Sequence, residues 1–189
     1  MFKLHKPLET TIDIQGEIYE VNTAFDHILK LLDKLQDPRL TDGEKVHGAL
    51  RHLLGTALDL EMDQQVSVFH ALMDHFVHGE EGQEAPVDLE GNVMPVAARP
   101  PTYDLTHDAP YIYTSFQQAY GINLLEAQGK LDWRLFKLLL QDLPEDTKFK
   151  QVIDIRTRPY PKGKGMSEER RRLKEAKRTF ALPGHPLDD

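Results

Sequence analysis

Asn22-Thr23-Ala24-Phe25-Asp26-His27-Ile28-Leu29-Lys30-Leu31-Leu32-Asp33-Lys34-Leu35-Gln36-Asp37-Pro38 is the stretch that decides the fold class. Phe25, Ile28, Leu29, Leu32 and Leu35 recur at the three- and four-residue intervals that align along one side of an α-helix. Asn22-Thr23 offers side-chain oxygens for the first free amides, and Pro38 ends the run because it lacks an N–H and excludes the residue before it from helical backbone. The spacing predicts an amphipathic helix over about residues 23–36.

Working outward toward the N-terminus, Glu9 to Val21 alternates in period two on both sides of Gln15-Gly16, where glycine can supply a positive φ. This predicts a β-hairpin. Toward the C-terminus, Thr41 with Glu44 forms a capping box ahead of Val46, Leu50, Leu53 and Leu54, with Gly55 as the stop. A third helix, starting near Asp63 as its cap, places Val66, Phe69, Leu72, Met73, Phe76 and Val77 on one face and ends at Gly79.

Residues 79–107 lose periodicity and become rich in Glu, Gly and Pro, which predicts a mobile linker, with at most a transient hairpin around 89–93. Periodic sequence resumes at Asp108, read as an N-cap with Pro110 in the first turn, followed by Tyr111, Ile112, Ser115, Phe116 and Ala119 up to Gly121. Asp132 is read as the cap of a helix carrying Trp133, Leu135, Phe136, Leu139 and Leu140, and Asp146 as the cap of one carrying Phe149, Val152, Ile153 and Arg156. Beyond Pro159, Ser167-Glu168-Glu169 opens a charged helix whose only apolar edge is Leu173, Ala176 and Phe180. The expected fold is therefore mainly α: a short-helix bundle with an N-terminal β-hairpin, a mobile central linker and a C-terminal basic helix. The expected boundaries are 1–78 for the hairpin and first helices, 79–107 for the linker, 108–158 for the second helical unit and 159–189 for the basic helix and tail.

Composition narrows the function. The chain has 189 residues, 40% hydrophobic and 29% charged, and runs such as Leu138-Leu139-Leu140 are far too short to cross a bilayer. Met1 to Pro7 is positively charged but is not followed by the apolar core of a secretory signal, so the expected location is the cytoplasm in which the protein is made. With no cysteine, the chain has no disulfide, zinc-thiolate or thiol chemistry. The net charge of −8 is unevenly spread: residues 1–107 hold 8 Lys/Arg against 19 Asp/Glu, and residues 108–189 hold 15 against 12. An acidic first half disfavours duplex DNA as a main ligand and leaves the basic helix as the one segment able to compete for phosphate.

No residue pattern assembles a catalytic or metal site. His75 and His78 are neighbours on a helix, but His70 lies about 140° around it from His75, and His47 and His52 share that spacing. Asp59, Glu61 and Asp63 resemble the start of a calcium loop without its glycine or closing glutamate. Lys162-Gly163-Lys164-Gly165-Met166-Ser167 lacks both the preceding strand and the residue order of a phosphate loop, and reads as a flexible joint. The expectation is a non-enzyme without cofactor or metal. Arg170, Arg171, Arg172, Lys174, Lys177 and Arg178 are the candidates for docking on an acidic partner, such as the acidic half of a neighbouring copy. Nucleic acid is disfavoured by the glutamates on the same helix and the lack of an aromatic ladder.

The run Asp108-Ala109-Pro110-Tyr111-Ile112-Tyr113-Thr114-Ser115-Phe116-Gln117-Gln118-Ala119-Tyr120-Gly121-Ile122-Asn123-Leu124 closely resembles the bacteriophage family named after the product of gene fifteen. So do Gln128 to Phe136, Leu143 to Phe149, Ile153 to Arg156 and, more weakly, Met166 to Pro183; Arg134 departs from the family pattern, which often has an aromatic there. The resemblance implies a tail assembly chaperone of siphoviruses and prophages, acting in the host bacterial cytoplasm. Its implied partners are the tape measure protein, the major tail tube protein and further copies of itself. The alternatives are a tail or head–tail completion protein retained in the virion, and a nucleic-acid-binding regulator. Tyr111, Phe116, Tyr120, Trp133 and Phe136 are expected mainly in the core, with Tyr113 and Trp133 as the best aromatic interface candidates because each ring combines apolar area with a polar atom.

Overall fold

A computed structural model describes residues 4–79, 101–163 and 165–184. Residues 80–100, most of the expected linker with its transient hairpin, lie outside the described residues. The chain is mainly helical with one small antiparallel hairpin. It divides into two compact units, 1–95 with 127–138 and 96–126 with 139–189, so the units do not follow chain order.

In the first unit, β1 (Thr11–Ile14) pairs with β2 (Glu17–Glu20) in the register Thr11↔Glu20 to Ile14↔Glu17. Gln15 (φ 55°) and Gly16 (φ 89°) both take positive φ, the two-residue turn that matches strand twist. Asp13 Oδ1 accepts the Gly16 N–H at 2.8 Å. Ile14 and Val21 carry the hairpin into the core, while Ile18 stays outside.

α1 (Phe25–Gln36) buries Phe25, Ile28 and Leu31. The expected Asn22-Thr23 cap is not used in that way, because both side chains have other partners. Asn22 Oδ1 accepts from the Ala24 N–H at 3.2 Å, and the Thr23 hydroxyl donates to Asp132 Oδ2 at 2.6 Å. α2 (Asp42–Leu54) has the expected capping box, with the Thr41 N–H donating to Glu44 Oε2 at 2.9 Å, and ends at Gly55 with φ 70°. α3 (Met62–Leu72) is capped at Glu61, two residues earlier than expected: its N–H donates to Gln64 Oε1 at 3.2 Å, and Asp63 lies in the first turn with an exposed side chain.

The apolar face of α3 continues to Gly79 as predicted, but Met73–His78 is wound as a π-helix. Its terminal carbonyls, which no later helical amide can satisfy, take side-chain donors instead. Val77 O accepts from Trp133 Nε1 at 2.8 Å and Lys137 Nζ at 2.9 Å, and His78 O accepts from Lys137 Nζ at 2.8 Å. The donors belong to α5 (Trp133–Gln141), whose residues 133–138 lie in this unit. Asp132 caps α5 as expected, accepting the Arg134 N–H at 2.8 Å. Phe25, Phe136 and Trp133 stack in series, with centroids 5.0 and 5.6 Å apart.

In the second unit, α4 (Ala109–Tyr120) ends at Gly121 with φ 66° and packs on α6 (Lys148–Thr157). Ile112, Phe116, Phe149 and Val152 form the core. Ser115 is small enough to let the start of α6 approach, and its buried hydroxyl accepts the Phe149 N–H at 3.0 Å. The residue preceding α6 is Thr147, not the predicted cap Asp146, which is exposed. The Thr147 hydroxyl donates to Pro144 O at 2.6 Å and so closes the preceding turn. α7 (Ser167–Thr179) is the expected charged helix.

Candidate interaction surface

The second unit is organised around a charge that its sequence pattern hides. Asp108 stands at the N-cap position of α4, as expected, but its carboxylate makes no cap hydrogen bond. It is fully buried and takes both arms of Arg156, Nη1 at 2.6 Å and Nη2 at 2.7 Å, and also accepts the Asp104 N–H at 3.0 Å. Burial alone would push the carboxyl up; the Arg156 guanidinium and the Asp104 amide outweigh it and hold Asp108 below its ordinary value. A bidentate, fully hydrogen-bonded pair is the form in which a buried charge is tolerated.

Arg156 extends this network to α7. Its Nε donates to Phe180 O at 2.6 Å and its Nη1 to Thr102 O at 3.1 Å. Lys177 runs the other way: it is only 8% exposed, donates to Arg156 O at 2.9 Å and lies 5.0 Å from the centre of the Tyr160 ring. Lys148 lies over the Phe180 ring at 4.7 Å. The inner edge of α7 is therefore held largely by carbonyl and cation–π contacts around a helix of few apolar residues.

The predicted surface residues separate accordingly. Arg170, Arg171, Arg172 and Arg178 are exposed on α7, and Lys174 is half-buried there. Arg171, Lys174 and Arg178 share a face at i, i+3 and i+7. Arg170 donates to Pro161 O at 2.9 Å, and Arg172 pairs with Glu168 one turn back at 2.6 Å. Lys177 is a buried anchor and does not belong to the exposed set, because its ammonium donates to Arg156 O near the end of α6. Trp133, only 4% exposed, is a core residue of the other unit, with its N–H used inside the protein. Tyr113 is half-buried on α4, its hydroxyl 3.4 Å from Asn123 Oδ1. The structure thus brings together only the α7 cations. Sequence reasoning missed the Asp108–Arg156 pair and the burial of Lys177, because no local spacing marks a contact between residues 48 positions apart.

The histidines do not converge. His75 faces Glu9 at 3.4 Å, His78 faces Asp74 at 3.3 Å, and His27 stacks on His52 with centroids 3.8 Å apart. Among the described residues no group of three or more His, Cys, Asp or Glu side chains is placed to hold a metal ion, and no helix is long and apolar enough to cross a membrane.

No curated protein and no solved structure matches the chain. A family model described as "Bacteriophage Gp15 protein" matches residues 4–182, which takes in both units and α7. With nearly the whole chain matched, this protein belongs to the bacteriophage Gp15 family, a family of phage structural and morphogenesis proteins.

Proposed function

We propose that this protein is a tail assembly chaperone that binds the tape measure protein and recruits tail tube subunits without remaining in the finished particle. The observation that carries the reading is membership of the phage morphogenesis family along nearly the full chain. The form of α7 is consistent with it. Its outer face presents guanidinium groups in solvent, where ion pairs form quickly and contribute little individually, so a client is met fast and released easily.

The test uses the full chain, expressed with the tape measure protein and with tail tube protein, in affinity capture and in purified virions. The expected result is capture of the tape measure protein, weakened by Arg171→Glu with Arg178→Glu, and absence from virions. Retention in virions at a fixed copy number, without capture of the tape measure protein, overturns the reading in favour of a tail or head–tail completion protein.

A further inference from the structure

The start of α2 lies against the start of α3. A Cβ on Gly43 would stand 3.4 Å from Met62 Cε, and one turn further along His47 faces Gln65 at 3.4 Å. The two N-termini therefore share one end of the unit. Asp42 adjoins Gly43, Glu61 and Asp63 flank Met62, and Asp59 stands two residues before Glu61; all four are exposed, as is Met62 at 48%. Helix dipoles favour acidic side chains at such an end. Among the described residues, none of these four carboxylates is in an ion pair. α7 presents the opposite, with Arg171 and Arg178 exposed and forming no ion pair among the described residues.

We infer that the outer face of α7 docks on the acidic α2–α3 end of a second copy of this chain, head to tail. Charge complementarity selects the occupant: residues 1–107 are strongly acidic and residues 108–189 are basic on balance. A continuous polyanion fits α7 less well, because Glu168, Glu169 and Glu175 interrupt its cations, whereas discrete carboxylates can be met one at a time. The giving and receiving faces are different patches, so each copy can do both, and the association is heterologous instead of a closed twofold dimer. This inference does not depend on binding of the tape measure protein.

The test is sedimentation velocity of the full chain alone, over a concentration series at low salt and at about 0.5 M salt, where surface charge is screened. The expected result is mass that rises with concentration at low salt and falls back toward monomer at high salt. Arg171→Glu with Arg178→Glu, and separately Asp59→Asn with Asp63→Asn, should each weaken self-association at least about tenfold while leaving the helical circular dichroism unchanged. Mixing the two variants leaves one intact basic face and one intact acidic face, and should give a species that stops at a 1:1 dimer. A chain that stays monomeric throughout the series, a dimer insensitive to both double substitutions, or a failure of the mixed variants to pair overturns the inference.

Discussion

Asp108 and Arg156 show what one buried charge pair does in a small helical unit. Removing one partner leaves the other in a dry interior, so Asp108→Asn is expected to destabilise the protein by about 3–5 kcal/mol, read by chemical denaturation. Replacing both, as Asp108→Leu with Arg156→Met, is expected to cost less than either single change. His52 gives the fold a pH dependence. Burial lowers its proton affinity, and the charges of His27, Lys34 and Lys30 lower it further against the hydrogen bond to His27 O. A proton then binds the unfolded chain more readily than the folded one. Stability is full above the ordinary value of 6.5 and falls as pH drops through that value toward the lower folded one. Thermal melts at a series of pH values between about 5 and 8 should show this slope, and His52→Asn should flatten it.

At the scale of the element, helices end on partners that local sequence does not name. The π-helical turn at Met73–His78 presents its terminal carbonyls to Trp133 and Lys137. Trp133→Phe keeps an aromatic ring but removes the donor and part of the buried area, and is expected to cost about 1–3 kcal/mol, with faster amide exchange concentrated in residues 73–79. α7 depends in the same way on Lys177. Lys177→Met removes the bond to Arg156 O and the contact over Tyr160, and should speed tryptic cleavage at Arg170 to Arg178 more than it lowers global stability. Cleavage at the wild-type rate would mean that α7 does not need this anchor.

At the scale of the whole molecule, the residues that hold the fold and those that face solvent on α7 are distinct sets. Asp108, Arg156 and Lys177 are buried, while Arg171 and Arg178 are exposed. Arg171→Glu with Arg178→Glu is therefore expected to leave the thermal midpoint nearly unchanged, within about 0.5 kcal/mol of stability, while changing capture and self-association. A large loss of stability in that variant would assign the outer face of α7 to the fold instead.

Much of the architecture was legible in the amino-acid order because its causes are local. Period two around Gln15-Gly16, the Thr41–Glu44 box, the glycine stops at 55 and 121 and the Asp132 cap each depend on atoms within a few residues of one another. The same local reading placed caps at Asn22-Thr23, Asp63 and Asp146, where the folded chain does not have them, and at Asp108, which holds the N-cap position but turns its carboxylate elsewhere. For Thr23 and Asp108 the cause is plain: a hydroxyl or carboxylate that can reach a nearby amide can equally serve a distant partner, and tertiary packing chooses between them. The exposed α7 cations were likewise readable as a charged helix face. By itself, then, the sequence determined a mainly helical chain with one hairpin, its polar asymmetry and its family. Only the tertiary structure decided that residues 127–138 pack with the N-terminal unit, that Trp133 and Lys177 are inside, and that Asp108 answers Arg156, because burial is a property of what the rest of the chain brings to a residue.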